Sequence, residues 1–366
     1  MQRAFTLIFG LLLIGLGLES RAERDIVYAA RYYFPPHSHR LSHFHIYRIN
    51  PDGSGRIQLT YGSTDDTGPL WSPNGRLIAF DREYERHDAY ANAVYVMDAR
   101  GHHLKRIAKI TSFGFLTFSW TEDSRALIVN GKLYPLSGQQ HTLTPWEKNP
   151  NAVVSPNRRY LYVSADPDSG KPDVLINLTT QQQIRVETHL DCPVWWNNRT
   201  IVGACDYIDD SGQTVPGICT VGLDGKIARR LRFQPSQMTP EGAYTSLQDI
   251  RVARLQKIPQ DKSHLVLWSD EGNSTVRPLY GFYYVDIDTG KAKPITDGQF
   301  LLWSPDGTKV MWADRDLVPY GKHRDGTERV VWGTPLWMMD IRTGHKRSLT
   351  PGIVWVDSAE WRGGGN

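Results

Sequence analysis

One phrase of the sequence decides the fold, because it returns far along the chain with little change. The stretch LWSPNGRLIAF at positions 70–80 returns as LWSPDGTKVMW at positions 302–312. Each copy reads as a strand that ends in an aromatic residue, a tight turn built from Pro and Asn/Asp-Gly, and a second apolar strand. Weaker copies of the phrase lie at 119–124, 154–158, 194–198 and 360–364. Such internal repetition indicates an architecture built from repeated units.

A second phrase alternates with the first. It consists of a hydrophobic strand, a turn that often contains Asp and Gly, and a strand that often ends in Leu-Thr. Its seven copies lie at 49–60, 97–107, 136–144, 176–186, 223–231, 285–296 and 339–350. Two alternating hairpins give four strands per repeat, which is the blade of a β-propeller. A β-sandwich would also supply many strands, but it would not alternate two turn chemistries. We therefore predict an all-β propeller of four-stranded blades.

The two ends of the chain predict how the ring closes. Seven blades are expected, with six as the alternative because the sixth has the weakest turn signal; they lie at 25–60, 67–110, 115–144, 151–188, 191–231, 245–296 and 298–349. Residues 25–30 read as the second strand of a blade without its first, and residues 353–357 read as a first strand without the rest. A C-terminal strand that completes the N-terminal blade explains both ends, because a closed ring leaves no unpaired edge.

The Trp-Ser-Pro-Asp/Asn-Gly phrase at 71–75 and 303–307 resembles the WD40-like (PD40) repeats of the TolB β-propeller family. Such repeats also occur in the propeller domains of prolyl oligopeptidase-type peptidases. The resemblance covers the propeller, without the separate N-terminal domain of TolB, which is a periplasmic protein of the Tol–Pal envelope system. In that family the phrase is structural. The resemblance therefore implies a propeller fold and an envelope location, and it implies no catalytic residue.

The N-terminus predicts export. Residues 1–22 have the layout of a secretory signal peptide, with a positive start, an apolar run at 4–18 and Ser20-Arg21-Ala22 before the expected cleavage site. An uncleaved anchor is the alternative, although a membrane span needs about 20 apolar residues. We expect a single propeller domain at 23–366 that is periplasmic or secreted, with no stable membrane insertion after cleavage.

The composition and the missing motifs exclude several classes of function. The chain is 40% hydrophobic and 22% charged, so it can bury a core and is not a disordered protein. Its 42 Lys and Arg against 39 Asp and Glu leave a charge of +3 (42 − 39), too balanced for a nucleic-acid partner. The sequence has no Gly-x-Ser-x-Gly elbow, P-loop, Gly-x-Gly-x-x-Gly or His-Glu-x-x-His motif.

A histidine cluster gives the one candidate metal site, consisting of His37, His39, His43 and His45. Alternate residues of a strand share a face, so His43 and His45 could present two imidazoles together. Imidazole binds zinc, copper, nickel and iron well. Certain seven-bladed propeller lyases that act on oligogalacturonate hold a metal with several histidines, which supports an enzyme by analogy. The alternative is a polar loop with solvated histidines, and no cofactor is then expected.

The cysteines predict one disulfide inside the fifth blade. Cys192, Cys205 and Cys219 fall on its first, second and third strands. Counting from the two turns places Cys205 opposite either Cys192 or Cys219, so both pairs remain open. An oxidising compartment favours one bond. Three buried, reduced cysteines are the alternative.

The strand order predicts a functional side of the disc. Both stereotyped turns of each blade fall on one side, the turn rim. The opposite side, the loop rim, carries the connections between second and third strands and the links between blades. Its long segments are 34–43, 82–92, 206–215, 270–278 and 314–333, with the link 232–243. Loops on a rigid scaffold commonly bind partners, although solvated insertions are the alternative. The candidate binding residues are Arg82, Tyr84, Arg86, His87, Tyr90, Tyr207, Arg315, Tyr320, His323 and Arg324.

Two functions remain after these exclusions. The first is a non-catalytic exported scaffold that presents a propeller face to an envelope protein, peptide or glycan. The second is a metal-assisted carbohydrate-active enzyme, similar to a lyase, that uses the propeller funnel. Because the repeat phrase is structural and no catalytic motif is present, we favour the scaffold.

Overall fold

The structure of the chain is a computed structural model. It describes residues 25–32, 42–86, 89–110, 116–137, 143–149, 151–166, 169–208, 211–212, 214–232, 234–235, 252–269, 281–296, 298, 300–350, 352 and 354–363. The expected signal peptide lies outside these residues. No helix in the described part of the chain is both long and apolar enough to cross a membrane.

The chain forms a seven-bladed β-propeller, as the repeats predict. The first blade contains β1 (Ile26–Tyr32), β2 (His45–Ile49), β3 (Ile57–Gln58) and β30 (Val354–Trp361). The second contains β4 (Asp65–Trp71), β5 (Leu77–Arg86), β6 (Ala89–Asp98) and β7 (Lys105–Ile110). The third contains β8 (Phe118–Trp120), β9 (Ala126–Val129) and β10 (Lys132–Pro135). The fourth contains β11 (Ala152–Val154), β12 (Tyr160–Val163), β13 (Val174–Asn177) and β14 (Gln183–Arg185).

The last three blades complete the ring. The fifth contains β15 (Asp191–Trp195), β16 (Thr200–Ile208), β17 (Thr214–Gly222) and β18 (Ile227–Arg232). The sixth contains β19 (Gln234–Pro235), β20 (Val252–Lys257), β21 (His264–Ser269), β22 (Gly281–Asp286) and β23 (Lys291–Thr296). The seventh contains β24 (Phe300–Trp303), β25 (Lys309–Ala313), β28 (Leu336–Asp340) and β29 (Lys346–Ser348). A separate hairpin of β26 (Asp316–Lys322) and β27 (Glu328–Gly333) is inserted between β25 and β28.

The first repeated phrase is a turn held by its own side chains. Ser304 Oγ donates to Asp306 Oδ1 at 2.6 Å and accepts the Lys309 N–H at 2.9 Å. Gly307 has φ +71°, and its N–H donates to the Ser304 carbonyl at 2.8 Å. Only glycine adopts this left-handed conformation without strain. The equivalent turns begin at Ser72, Thr121 and Ser155 and have the same hydroxyl-to-Asx bond.

The Leu-Thr ending of the second phrase also has a structural reason. The Thr60 hydroxyl accepts the N–H of Ile46 on the neighbouring strand at 2.9 Å, and the Thr350 hydroxyl accepts the N–H of Leu336 at 2.9 Å. Both threonines are buried. Each therefore satisfies a buried backbone donor where the last strand of the blade ends.

The repeated tryptophans pack between blades. Trp71, Trp195, Trp303 and Trp361 are buried. The indole N–H of Trp195 donates to the Val153 carbonyl in the preceding blade at 2.9 Å. Trp120 makes the matching bond to Leu70 at 3.1 Å. Trp120 and Trp195 thus join neighbouring first strands, and the four buried tryptophans fill the core.

The C-terminal strand closes the ring, as predicted. β30 pairs with β1 along its length, from Tyr32 opposite Val354 to Ile26 opposite Trp361. Its side chains also bond to the second blade: Ser358 Oγ accepts the Gly68 N–H at 3.1 Å, and Glu360 accepts the Trp71 N–H. Burial raises the pKa of Glu360 to about 8, although its bond from Trp71 favours the ionised form.

Details of the blades differ from the sequence prediction. The described residues give the third blade three strands instead of four, and the short β19 adds a parallel strand to the sixth blade. The first strand of the sixth blade is Val252–Lys257, and residues 236–251 before it lie outside the described residues. Three connections expected to be irregular, at 82–92, 206–215 and 314–333, are largely strand. In the first two, backbone pairing of the second and third strands simply continues past their neighbours.

Candidate functional site

The two sides of the disc are built differently. Consecutive strands within each blade are antiparallel, so the short turns lie together on the turn rim and the remaining connections lie on the loop rim. Three long hairpins extend the loop rim: β5–β6, β16–β17 and β26–β27. The four most exposed large apolar or aromatic side chains of the described residues are also on this rim; they are Tyr61, Ile208, Val330 and Trp332. The loop rim is therefore the candidate binding surface.

The hairpin of the second blade is braced by a buried ion pair. Asp66 is fully buried, and Arg82 donates to its two carboxylate oxygens at 2.5 and 2.8 Å. Burial opposes the ionisation of Asp66, but the bonds from Arg82 and other neighbours outweigh it and lower the pKa of that carboxyl. The Arg82 guanidinium also lies 5.0 Å from the centre of the Tyr95 ring. Arg82 thus holds β5 to β4, and its fork is already occupied.

Two further polar groups lie on this hairpin. The hydroxyls of Tyr84 and Tyr95 hydrogen-bond to each other across the strand pair, and burial together with that bond raises the pKa of Tyr84 to about 12. Asp81 faces the opposite side of the sheet, where Asn92 donates to its Oδ2 at 3.2 Å. Burial and the nearby carboxylates of Glu83 and Asp66 raise the pKa of Asp81 to about 7. The stem of the hairpin is therefore a fixed structure.

The hairpin of the fifth blade is joined at its base by a disulfide. Cys205 on β16 is bonded to Cys219 on β17, with Cα atoms 5.8 Å apart. This is one of the two pairs that the sequence left open, and the third cysteine, Cys192, is partly buried. Beyond the disulfide, Ile208 is 71% exposed at the end of β16. An exposed branched apolar side chain is thus presented on a cross-linked stem.

The hairpin of the seventh blade is anchored to the strand that closes the ring. Thr334 follows β27 and is fully buried. Its N–H donates to the Val354 carbonyl at 2.9 Å, and its hydroxyl accepts the Val356 N–H at 2.9 Å. Val330 and Trp332 of β27 remain 47% and 56% exposed. The hairpin therefore projects from a buried, hydrogen-bonded base.

The predicted binding residues fall into three groups. Arg82 and Tyr84 are engaged within the second blade. Arg315, His323 and Arg324 are exposed at the base and tip of the β26–β27 hairpin. The backbones of Arg86, Tyr90, Tyr207 and Tyr320 lie in strands of the three hairpins, whereas His87 lies outside the described residues. Sequence reasoning missed Ile208 and Val330 as binding candidates, because it selected polar and aromatic residues in loops and not apolar residues in extended strands.

The histidine cluster is not assembled in the described part of the chain. His43 precedes β2, and its Nδ1 lies 3.3 Å from Asp65 Oδ1, whereas His45 Nδ1 lies 4.0 Å from Asp66 Oδ2. Adjacent strand residues face opposite sides, so these two carboxylates separate the imidazoles. His37 and His39 lie outside the described residues. Among the residues described, no three His, Cys, Asp or Glu side chains are placed to hold a metal.

A polar cluster that the sequence did not indicate joins the fourth and fifth blades on the loop rim. Asp173 is buried and accepts from Tyr162, from His189 Nδ1 at 2.9 Å and from the Leu190 N–H at 3.1 Å. The other ring nitrogen of His189 lies 3.3 Å from Asp191. Burial opposes protonation of His189, but the two carboxylates outweigh it and raise the pKa of the imidazole. The cluster fixes the link between the two blades.

Two small clefts lie on the first and seventh blades. One of about 290 Å³ is lined by Tyr32, Tyr47, Arg56 and Gln58. The other, of about 260 Å³, is on the turn rim and is lined in part by Lys309, Asp340 and Arg347. Both are at the lower limit of ligand pockets, which usually measure about 300–1,000 Å³. The projecting hairpins therefore remain the more distinctive surface.

Comparisons with known proteins do not supply a function. No protein-family model matches the sequence, and no curated protein matches it. Among solved structures, the chain is similar to TolB from Acinetobacter baumannii, at 16% identity and a TM-score of 0.43, with 93% of this chain and 67% of that chain covered. It is also similar to a putative 6-phosphogluconolactonase from Bacteroides uniformis, at 12% identity and a TM-score of 0.44, with 93% and 100% covered.

A third similar structure is prolyl oligopeptidase B from Galerina marginata, at 13% identity and a TM-score of 0.46, with 86% of this chain and 48% of that chain covered. All three TM-scores are below 0.5. The architecture therefore stands on the strand pairing of the chain itself, and no activity is carried over from these proteins.

Proposed function

We propose that the protein is an exported, non-catalytic β-propeller scaffold that binds an envelope protein through its loop rim. The observation that carries this proposal is the asymmetry of the disc. Short self-bonded turns cover one rim, whereas the other has three projecting hairpins with exposed Ile208, Val330 and Trp332. Exposed apolar side chains beside cations such as Arg324 are typical of protein contact surfaces.

The architecture of the hairpins supports a binding role. Each one has a fixed stem, through the Asp66–Arg82 pair, the Cys205–Cys219 disulfide or the buried Thr334. Fixed stems reduce the conformational entropy that is lost when a partner binds, so more of the contact energy appears as affinity. The binding role requires no cofactor.

Two features support export. The first is the signal-peptide layout of residues 1–22. The second is the Cys205–Cys219 disulfide, because such bonds persist in oxidising compartments and are rare in the cytosol. We expect the mature protein to be recovered from the periplasm or the medium with an N-terminus at Glu23. N-terminal sequencing of the fractionated protein tests this.

The binding role is tested with two matched triple variants. One changes Ile208, Arg324 and Trp332 of the loop rim to Ser. The other changes Leu104, Ile341 and Arg342 of the turn rim, which are likewise two exposed apolar residues and one exposed cation. Immobilised protein is incubated with solubilised envelope extract, and retained proteins are quantified. We expect the loop-rim variant to lose the retained partner and the turn-rim variant to keep it. The reverse pattern would place binding on the other side of the disc.

A further inference from the structure

The β26–β27 hairpin differs from the other two projecting hairpins because it forms a sheet of its own. β26 and β27 pair with each other from Asp316–Gly333 to Lys322–Glu328. In the described residues neither strand is joined to a third one, and the isolated bridge of Thr334 to Trp355 begins only after β27 ends. A two-stranded sheet has two outer edges, and each edge offers unpaired backbone donors and acceptors to another chain.

Only one of these two edges is open to pairing. β26 contains Pro319, which has no backbone N–H, and its register shifts between Pro319 and Gly321. A proline and an irregularity are two of the features by which proteins protect an edge strand. β27 has the sequence ERVVWG, with no proline and with a continuous register from Glu328 to Val330. The unprotected edge is therefore that of β27.

The side chains around this edge indicate the chemistry of the partner. Val330 and Trp332 alternate on one face of β27 and are 47% and 56% exposed, so they can pack against apolar side chains of an added strand. At the tip, Lys322, His323 and Arg324 are exposed, and none of them forms an ion pair within the described residues.

Two acidic residues, Asp325 and Glu328, lie among the basic residues of the tip, and Lys322, Arg324 and Arg329 exceed them by one charge (3 − 2) with histidine neutral. The Asp325 carboxylate accepts the Thr327 hydroxyl at 2.6 Å and the Thr327 N–H at 3.0 Å, which closes the turn. Lys322, His323 and Arg324 thus face solvent at the end of the strand that carries the apolar stripe, and the tip keeps a net positive charge. The complementary partner carries acidic residues next to alternating apolar residues.

We propose that β27 binds an extended acidic-apolar segment of a partner protein by β-strand addition, with Trp332 as the apolar anchor and the hairpin tip as the cationic contact. In this mode the main-chain hydrogen bonds supply affinity and the alternate side chains supply specificity. The segment extends the sheet from two strands to three. The inference rests on the proposed function, because it names the partner chemistry for one hairpin of the loop rim.

The probe is a phage-displayed library of random 12-residue peptides, selected in parallel on the whole protein and on the Trp332→Ser variant. We expect enriched peptides to combine Asp or Glu with alternating β-branched or aromatic residues.

Fluorescence anisotropy then measures the affinity of these peptides for the wild type and for variants. The Trp332→Ser variant lacks the apolar anchor, so we expect its Kd for these peptides to rise about tenfold or more. The Arg324→Ser variant should bind the peptides less tightly than the wild type at low salt and equally well at high salt, because salt screens exposed charges. Ile341→Ser, an exposed apolar residue of the turn rim, is the control and should bind like the wild type.

Strand addition has a signature that a simple apolar contact lacks. Two versions of an enriched peptide are N-methylated at alternate residues, one on the odd and one on the even positions. Because successive N–H groups of a strand point to opposite sides, one version should lose binding and the other should keep it. Equal binding of the two versions, or enrichment that does not depend on Trp332, would overturn strand addition. That failure is distinct from failure of the proposed function, which is measured by retention of envelope proteins on the two rim variants.

Discussion

The turn rim and the loop rim are made from the same seven blades, yet only one of them is repetitive. On the turn rim, the side chains of Ser72 and Ser304 bond to the turn that follows them, and Asp286 and Asp340 do the same in the second kind of turn. On the loop rim, the hairpins differ from blade to blade in length, anchoring and exposed residues. The repeated residues therefore specify the scaffold, and departures from the repeat mark the surface that is available for function.

The largest expected effect comes from opening the ring that supports both rims. Removal of residues 353–366 eliminates β30, uncovers β1 and removes the contacts of Ser358 and Glu360 with the second blade. Buried side chains such as Val354 and Trp361 are lost as well. We expect loss of cooperative thermal unfolding, measured by circular dichroism. Removal of 364–366 alone is the control and should leave the melting curve unchanged. A truncated protein with the wild-type melting temperature would show that β30 is dispensable.

The next effect concerns the base of one loop-rim hairpin. The double variant Cys205→Ala, Cys219→Ala loses a cross-link between residues that are 14 positions apart. A bond closing a loop of this size stabilises a protein by about 3 kcal/mol, chiefly by restricting the unfolded chain. Urea unfolding of the double variant should show that loss of free energy of unfolding. The Cys192→Ala variant should lose less free energy of unfolding. Thiol titration of the denatured, unreduced wild type should give one thiol per chain, and three would refute the disulfide.

A smaller effect sharpens the contrast between the rims. Ser72→Ala or Ser304→Ala removes a buried hydroxyl that both donates and accepts within its turn. Leaving a buried donor unsatisfied costs about 1–3 kcal/mol. Thr327→Ala removes a comparable hydroxyl-to-Asp bond on the exposed tip of the loop-rim hairpin, and we expect less than about 0.5 kcal/mol there. Equal costs in urea unfolding would mean that the two rims contribute alike to stability.

The last expected effect is a dependence of stability on pH. Folding raises the pKa of Glu360 from 4.5 to about 8 and that of Asp81 from 3.8 to about 7, mainly by burial. The folded state binds these protons more tightly than the unfolded state, so stability is complete at acidic pH and falls as the pH rises from about 4 to about 8. The raised pKa of His189 acts in the same direction. The melting temperature should therefore be higher at pH 5.5 than at pH 8.5.

The variant Glu360→Gln tests the source of that dependence. Its amide oxygen can still accept the Trp71 N–H, but the side chain no longer ionises. We expect it to raise the melting temperature at pH 8.5 and to leave it nearly unchanged at pH 5.5. Glu328→Gln, on the projecting hairpin, serves as a control for removing a carboxylate elsewhere. If the two variants have the same pH profile as the wild type, burial of Glu360 is not the cause.

The fold could be predicted from the sequence because its signals are local. The residues that make each turn lie within five positions of one another, as Ser304 and Lys309 do, so a repeated turn is a repeated phrase. The closing strand was also predictable, because both chain ends read as incomplete blades. The choice between six and seven blades rested on the sixth, which has the weakest turn signal and whose first strand is described only from Val252 onward.

The candidate site was only partly predictable, because its contacts connect distant positions. The Asp173–His189 bond and the anchoring of Thr334 by Val354 depend on how neighbouring blades meet. Continuation of β5, β16 and their partners into the loop rim likewise depends on pairing across the hairpin, which exposes apolar strand residues such as Trp332. The sequence indicated the correct side of the disc for these hairpins but not their structure, and it selected Arg82, whose guanidinium is occupied by Asp66.

Site-specific photo-crosslinking tests directly whether a partner binds the loop rim. Benzoyl-phenylalanine is placed singly at Ile208 or Trp332 on the loop rim, and at Leu104 or Ile341 on the turn rim; all four side chains are exposed. The four proteins are irradiated in envelope extract, and covalent adducts are identified by mass spectrometry. We expect adducts with the same partner at both loop-rim positions and none at the turn-rim positions. Adducts confined to Leu104 and Ile341 would contradict it.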